Sequence, residues 1–187
     1  MRRILSVLSI LALSTSAFAQ MPMPAAPAAS ALPWAGLPAS IAEGAGLVAW
    51  KSDFTYDTLT ESTNGLVCYD LTGRARQRPF SVECTSMANL PRKAQSLKFE
   101  AEGGDDRDKT RALVAAAEEN GTRVEPAYGS VWYNFSGNDE ASANLHITIA
   151  TPGATAESLG VPDSRQADSV WLMNAGTSTS HLMVPGR

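Results

Sequence analysis

The alternation of apolar and polar residues indicates paired strands in the first part of the chain. Residues 46–50 form an apolar run of strand length, and an alternating segment follows it. Asn64-Gly65 is the strongest short signal for a tight hairpin turn in the sequence. The pattern therefore predicts that residues 55–61 and 66–71 pair with each other as a hairpin.

Helical signals replace this alternation in residues 85–120. Pro91 suits the first position of a helix, where its missing N–H costs nothing. Gly103-Gly104 is typical of a helix end. Asp105 or Asp106 can then cap a second helix by accepting backbone N–H bonds. The segment therefore predicts a helical hairpin.

Strand patterns return in the last third of the chain. Residues 131–135 and 144–149 alternate between apolar and polar side chains. Two short apolar runs, 170–173 and 182–184, flank a polar loop and predict a terminal hairpin. The order of strands, helices and strands predicts an α+β fold: an antiparallel sheet of about five to seven strands with a helical hairpin packed on one face.

Composition divides the chain into three segments. Residues 1–19 have a charged start, an apolar run and the small-residue end Ala17-Phe18-Ala19, which together predict a secretory signal peptide. The apolar run is about half of the ~20 residues that a membrane-spanning helix needs. Residues 20–38 alternate proline with alanine and predict a disordered linker. Residues 39–187 have the length of a single domain.

These features predict an exported chain, periplasmic or secreted, with no transmembrane segment after cleavage. The full sequence has a net charge of −4 at pH 7. Loss of Arg2 and Arg3 with the signal peptide lowers the 15 basic residues to 13, against 19 acidic ones. This balance argues against nucleic acid as a partner, because phosphate binding needs a basic surface. The expected partner is an envelope ligand or protein, and no cofactor is expected.

Cys68 and Cys84 are the 2 cysteines of the sequence. In an exported chain, an even count at this separation predicts one disulfide. The alternative is a redox-active pair, which the spacing disfavours because it is far from C-x-x-C.

The sequence contains 2 histidines, which limits the candidates for acid–base and metal chemistry. His146 lies between Leu145 and Ile147, so strand alternation turns it away from the aliphatic face. His181 begins the last predicted strand. Both imidazoles share one sheet face if the terminal hairpin neighbours the strand of His146, and with a carboxylate they could hold a divalent metal. No H-x-H or H-x-x-x-H spacing preorganises such a site, so no metal site is predicted.

Ser178 lies close to His181 in sequence and raises the hypothesis of a hydrolase. A nucleophilic serine needs a base within hydrogen-bond reach and an oxyanion hole, and the chain lacks a G-x-S-x-G elbow. His181, His146 and Ser178 are candidates, but the sequence assigns no catalytic residue. The alternative interpretation of this segment is a turn between strands.

Arg74, Arg76 and Arg78 recur at every second position between the cysteines. In an extended loop this spacing puts three guanidinium groups on one side, where they could bind a phosphate, a lipid headgroup or an acidic polymer. The alternative is a solvated loop balanced by the acidic residues in 100–108.

Several stretches resemble a group of small exported bacterial proteins that have no assigned activity. They are the cysteine pair ahead of two helices, residues 154–160, Trp171-Leu172-Met173 with Ala175-Gly176-Thr177, and His181-Leu182-Met183. The resemblance spans roughly residues 64–185. It implies a location in the bacterial envelope, and it implies no catalytic residue.

The leading hypothesis is a non-enzymatic exported domain that binds a small ligand or an envelope partner. Its expected working surface is the loop of residues 174–181 with His146 nearby, because loops on a rigid sheet commonly carry function. The alternative is a small envelope hydrolase that uses His181. A third hypothesis is an assembly or adhesion role in which the arginine loop makes the contact.

Overall fold

A computed structural model describes residues 39–185 of the chain, which include one sheet of eight strands and a helical pair. The predicted signal peptide (1–19) and linker (20–38) lie outside the described residues. No helix within residues 39–185 combines the length and apolar character needed to cross a membrane.

The elements alternate between short helices, strands and one long helical pair. In chain order they are α1 (Ala39–Ala42), β1 (Gly46–Trp50), β2 (Tyr56–Thr60), β3 (Leu66–Asp70), β4 (Phe80–Ser86), a 3₁₀ turn (Met87–Asn89), α2 (Leu90–Gly103), α3 (Arg107–Glu119), β5 (Val131–Gly137), β6 (Asn144–Ala150), α4 (Ala156–Leu159), β7 (Trp171–Met173) and β8 (His181–Val184). The sheet order is β2-β1-β3-β4-β5-β6-β8-β7. The α+β class is therefore confirmed.

The sheet has more strands than the predicted five to seven, because residues 80–86 form the strand β4, whose last two residues fall within the segment predicted to be helical. Its residues Ser81, Glu83 and Thr85 are polar, yet all three are buried. They have hydrogen-bond partners inside the fold, so their burial does not leave polar groups unsatisfied. Because these buried positions are polar, the alternation of apolar and polar residues does not reveal this strand in the sequence.

The predicted hairpin of residues 55–61 with 66–71 is wrong, and so is a wholly antiparallel sheet. β2 and β3 both pair with β1, and the β1–β3 pair is parallel. The physical reason is burial: β1 is almost entirely buried, whereas every residue of β2 is exposed. The apolar strand therefore takes an interior position and the polar strand takes the edge. The turn at Asn64-Gly65 leads the chain past the start of β1, where Thr63 N–H donates to the Gly44 carbonyl over 2.8 Å.

The helical hairpin is confirmed. Pro91 lies in the first turn of α2, and the side chain of Asp106 caps α3 by accepting from two backbone N–H groups. Leu90 and Leu97 of α2 pack against a buried cluster of the sheet. The strand and loop members of that cluster are Val48, Trp50, Val67, Tyr69 and Leu71.

The two faces of the sheet have different chemistry. The disulfide Cys68–Cys84 joins directly opposite residues of β3 and β4, which confirms the predicted pairing. It lies on the face opposite to Tyr69 and the helices, since side chains alternate along a strand. On the helix side, α2 packs over β1 and β3. On the same face of β6, β7 and β8, the side chains are exposed or half-buried, except for the buried Ala150.

Candidate functional site

The helix-side face of the last three strands brings together aromatic, thioether and imidazole side chains. The register pairs Met183 with both Thr148 and Trp171, and it pairs His181 with both Ala150 and Met173. Because alternate residues of a strand share a face, His146 belongs to the same surface. We call this surface the open face; its members are His146, Thr148, Trp171, Met173, His181 and Met183.

A cavity of about 380 Å³ lies over the open face. His146, Trp171, Met173 and Met183 line it from the sheet, and the segment 165–169 contributes the opposite wall through residues that include Arg165. This volume falls within the range of small-molecule sites, which are concave and mostly apolar with a few polar groups.

The wall of the cavity is held in place by the elements around β7. The short helix α4 is capped at its start by Thr155 through a reciprocal capping box. Gly160 follows the helix, and its left-handed backbone (φ 67°) turns the chain towards the wall segment. Leu172 is fully buried, and its N–H donates to the Pro162 carbonyl over 2.8 Å. The chain is therefore bonded to β7 at Pro162, three residues before the wall segment begins.

The loop of residues 174–180 is tied to the segment that follows β6. Gly176 N–H donates to the Ala154 carbonyl over 2.7 Å, and the buried hydroxyl of Ser180 donates to the same carbonyl over 3.2 Å. Thr151 N–H in turn donates to the Ser180 carbonyl over 2.9 Å. These bonds fix the loop that connects Met173 at the end of β7 to His181 at the start of β8.

The prediction that the two histidines share a sheet face is confirmed by the pairing of β6 with β8. They are not opposite each other, because His181 pairs with Ala150, four residues beyond His146. Partial desolvation at the cavity and the charge of His181 hold the pKa of His146 below its usual value. Within residues 39–185, no group of three or more His, Cys, Asp or Glu side chains is placed to hold a metal.

The hydrogen bonds of Ser178 and His181 do not form a nucleophile–base pair. The hydroxyl of Ser178 donates to the carboxylate of Glu118 at the end of α3 over 2.7 Å. Nδ1 of His181 lies 2.7 Å from the carbonyl oxygen of Thr179. Ser178 therefore joins the 174–180 loop to α3.

The three arginines lie in a compact turn and not in the extended loop that their spacing presupposed. Gly73 and Arg76 have positive φ angles, and two successive backbone bonds close the turn. Arg74 is half-buried and donates to the Trp50 carbonyl over 2.8 Å, and this burial lowers the pKa of its guanidinium. Arg76 and Arg78 are exposed. An anionic partner for these residues stays a prediction.

A buried polar cluster beneath α2 was not predicted from the sequence. The Tyr69 hydroxyl donates to the Glu83 carboxylate, which also lies 3.0 Å from the Lys93 ammonium. Burial, together with the charge and hydrogen bond of Glu83, raises the pKa of Tyr69 well above its usual value. The cluster lies between β3, β4 and α2, so it belongs to the core and not to the cavity.

Four residues that line the cavity were not predicted as site residues from the sequence: Arg165, Trp171, Met173 and Met183. In the sequence, Trp171-Leu172-Met173 and Leu182-Met183 have the apolar character of short strands, and His181 alone stands out as a polar group. The outer positions of the triplets 171–173 and 181–183 carry indole, thioether and imidazole groups, while the central leucines face the other way. The signal in the sequence that indicates the site is the presence of indole, thioether and imidazole groups at the outer positions of two triplets that pair as strands.

Comparisons with known proteins do not identify the chain: no family model, no curated protein and no solved structure matches it.

Proposed function

We propose that the chain is an exported, non-enzymatic binding domain whose ligand occupies the cavity over the open face. The single observation that carries this proposal is the cavity itself, with an indole and two thioethers on its floor and a guanidinium on its wall. Such a mixture suits a small ligand that has an apolar body and a polar or anionic group.

The lining residues support binding in distinct ways. Trp171 offers a large rigid surface at low entropic cost. Met173 and Met183 have flexible, polarizable side chains that adapt to the shape of a ligand. Arg165 and His146 supply the polar contacts that orient it.

Export is supported by the pattern of residues 1–19 and by the disulfide, which persists in an oxidising compartment. The resemblance to small exported bacterial proteins favours the bacterial envelope. No observation favours the hydrolase alternative, because the hydroxyl of Ser178 is bonded to Glu118 and not to a histidine.

The export proposal predicts a defined N-terminus. The chain recovered from the envelope or the medium is expected to begin at Gln20, as read by N-terminal sequencing or intact mass. Recovery of a chain that retains Met1 from the cytosol alone would contradict it.

The binding proposal predicts that small aromatic fragments bind at the open face. In ligand-observed NMR with a fluorinated fragment library, fragments with an anionic group are expected to bind the native chain. Trp171→Leu should weaken these fragments about tenfold, which corresponds to about 1.4 kcal/mol. Tyr128→Leu is the matched control, because Tyr128 is 66% exposed and does not line the cavity.

Two outcomes would contradict the binding proposal. One is equal fragment affinity in Trp171→Leu and the native chain. The other is turnover of activated esters that disappears in both Ser178→Ala and His181→Gln, which would establish the hydrolase alternative.

A further inference from the structure

We propose that the open face binds a soft monovalent metal ion, Cu(I) or Ag(I), through the thioethers of Met173 and Met183 and the imidazole of His181, with the indole of Trp171 against the ion. This inference goes beyond the proposed function. It uses Met173 and Met183, which line the cavity, together with His181, which pairs with Met173 and lies beside the cavity lining. It departs from the prediction, made from the sequence, that the chain has no metal site; that prediction concerned a site built from the two imidazoles and a carboxylate.

The hairpin register brings the four side chains together. Trp171 lies directly opposite Met183, and Met173 lies directly opposite His181. Directly opposite Cβ atoms in antiparallel strands are roughly 4.5–5.5 Å apart, and diagonal neighbours are roughly 7–8 Å apart. Both thioethers have several rotatable bonds, so their sulfur atoms can converge on one ion beside the imidazole.

The ring of His181 is already oriented as a ligand. Its Nδ1 lies 2.7 Å from the Thr179 carbonyl oxygen, and a carbonyl can only accept, so Nδ1 carries the hydrogen. Nε2 then holds the lone pair that a metal requires. Metal-binding histidines in proteins usually have this arrangement, in which one ring nitrogen donates to a backbone carbonyl and the other binds the ion.

The donor set selects the class of metal. Thioethers are soft ligands that favour Cu(I), whereas Ca²⁺ and Mg²⁺ need oxygen ligands. Cys68 and Cys84 are joined in the disulfide on the opposite face, so they supply no thiolate here. The proposed ligands are uncharged, which suits a monovalent ion better than a divalent one. The indole face of Trp171 adds attraction for a cation that lies against it.

The exposure of the site lets an ion enter. Met173 is 39% exposed, while Trp171, His181 and Met183 are half-buried. The strands beneath are fixed by Leu172 and Ser180, which are fully or almost fully buried. The thioether of Met173 is therefore accessible to an ion, and it contributes little to the core.

The chain offers matched controls among its other methionines. Met87 is 44% exposed in the 3₁₀ turn and does not line the cavity. Met21 and Met23 belong to the segment predicted as a linker, and they are thioethers that could bind copper without any folded site. Methionine-to-leucine changes conserve size and tolerate packing well.

The experiment titrates the full secreted chain with Cu(I), held reduced by ascorbate, against the chelator bicinchoninate. Ag(I) is the redox-inert second probe. One equivalent of Cu(I) is expected, with sulfur scattering in the X-ray absorption spectrum. Met173→Leu and Met183→Leu should each weaken binding by about tenfold or more. Met87→Leu and the double variant Met21→Leu, Met23→Leu should bind as the native chain does.

The inference is overturned if the native chain does not compete with bicinchoninate, or if binding is lost only in the Met21, Met23 double variant. It is also overturned if Zn²⁺ binds more tightly than Cu(I). If Cu(I) and Ag(I) fail while fragments still bind in a manner that depends on Trp171, only the metal inference fails. If the fragments fail as well, the proposed function fails with it.

Discussion

Replacing Lys93 with methionine is expected to lower the free energy of unfolding by about 3–5 kcal/mol. The ammonium and the Glu83 carboxylate lie 3.0 Å apart, and their side chains are only 8% and 10% exposed. Loss of the ammonium leaves a buried carboxylate with the Tyr69 hydroxyl as its remaining side-chain partner among the described residues. An unpaired buried charge costs far more than the pair contributes. Urea unfolding followed by circular dichroism measures the change.

Lys98→Met is the matched control for this prediction. Lys98 lies on the same helix with its side chain 59% exposed, and its ion pair with Glu102 is long, at 4.0 Å. Its replacement should change stability by no more than about 0.5 kcal/mol. Adding Glu83→Gln to Lys93→Met should recover most of the loss, since the buried charge is then gone. If Lys93→Met and Lys98→Met changed the free energy of unfolding equally, Lys93 and Glu83 would not form a buried charged pair.

Reduction of the disulfide is expected to lower the free energy of unfolding by about 3 kcal/mol. The bond closes a loop with a sequence separation of 16 residues, and its opening restores the freedom of that loop in the unfolded chain. The measurement compares urea unfolding with and without dithiothreitol. Reduction keeps both sulfur atoms in the core, so the change reports the loss of the cross-link.

The control for reduction is the double variant Cys68→Ala, Cys84→Ala. The sequence has 2 cysteines, so dithiothreitol should have no effect on this variant. If the reductant destabilised it as much as the native chain, the effect would not come from the disulfide. If the native chain lost no stability on reduction, the unfolded chain would not be constrained by the bond.

The parts of the fold that sequence predicted are those with local signals. Pro91, Gly104 and Asp106 mark helix boundaries by their own backbone and capping chemistry, and they act as expected. The terminal hairpin also follows from two neighbouring apolar runs. Strand order is not local: β1 lies between β2 and β3 because burial of its whole length outweighs the hairpin signal at Asn64-Gly65.

The candidate site was predictable only in part, because its members come from separate strands. Alternation placed His146 on the correct face, and its sharing of that face with His181 depended on the pairing of β6 with β8. Met173 and Met183 have ordinary apolar character in sequence, and their chemistry emerges only when the register sets them beside His181 and Trp171. Arg165 reaches the cavity through a loop whose path no periodicity reports.

The position of β7 in the sheet makes this strand depend on one that comes later in the chain. Within residues 39–185, β7 precedes β8 in sequence but joins the sheet only through β8. During synthesis, β7 can therefore join the sheet only after β8 has been made. A protease cut just before His181 would sever the chain between β7 and β8, the one strand with which β7 pairs in the described residues, so the Trp171 side of the open face depends on the integrity of this link.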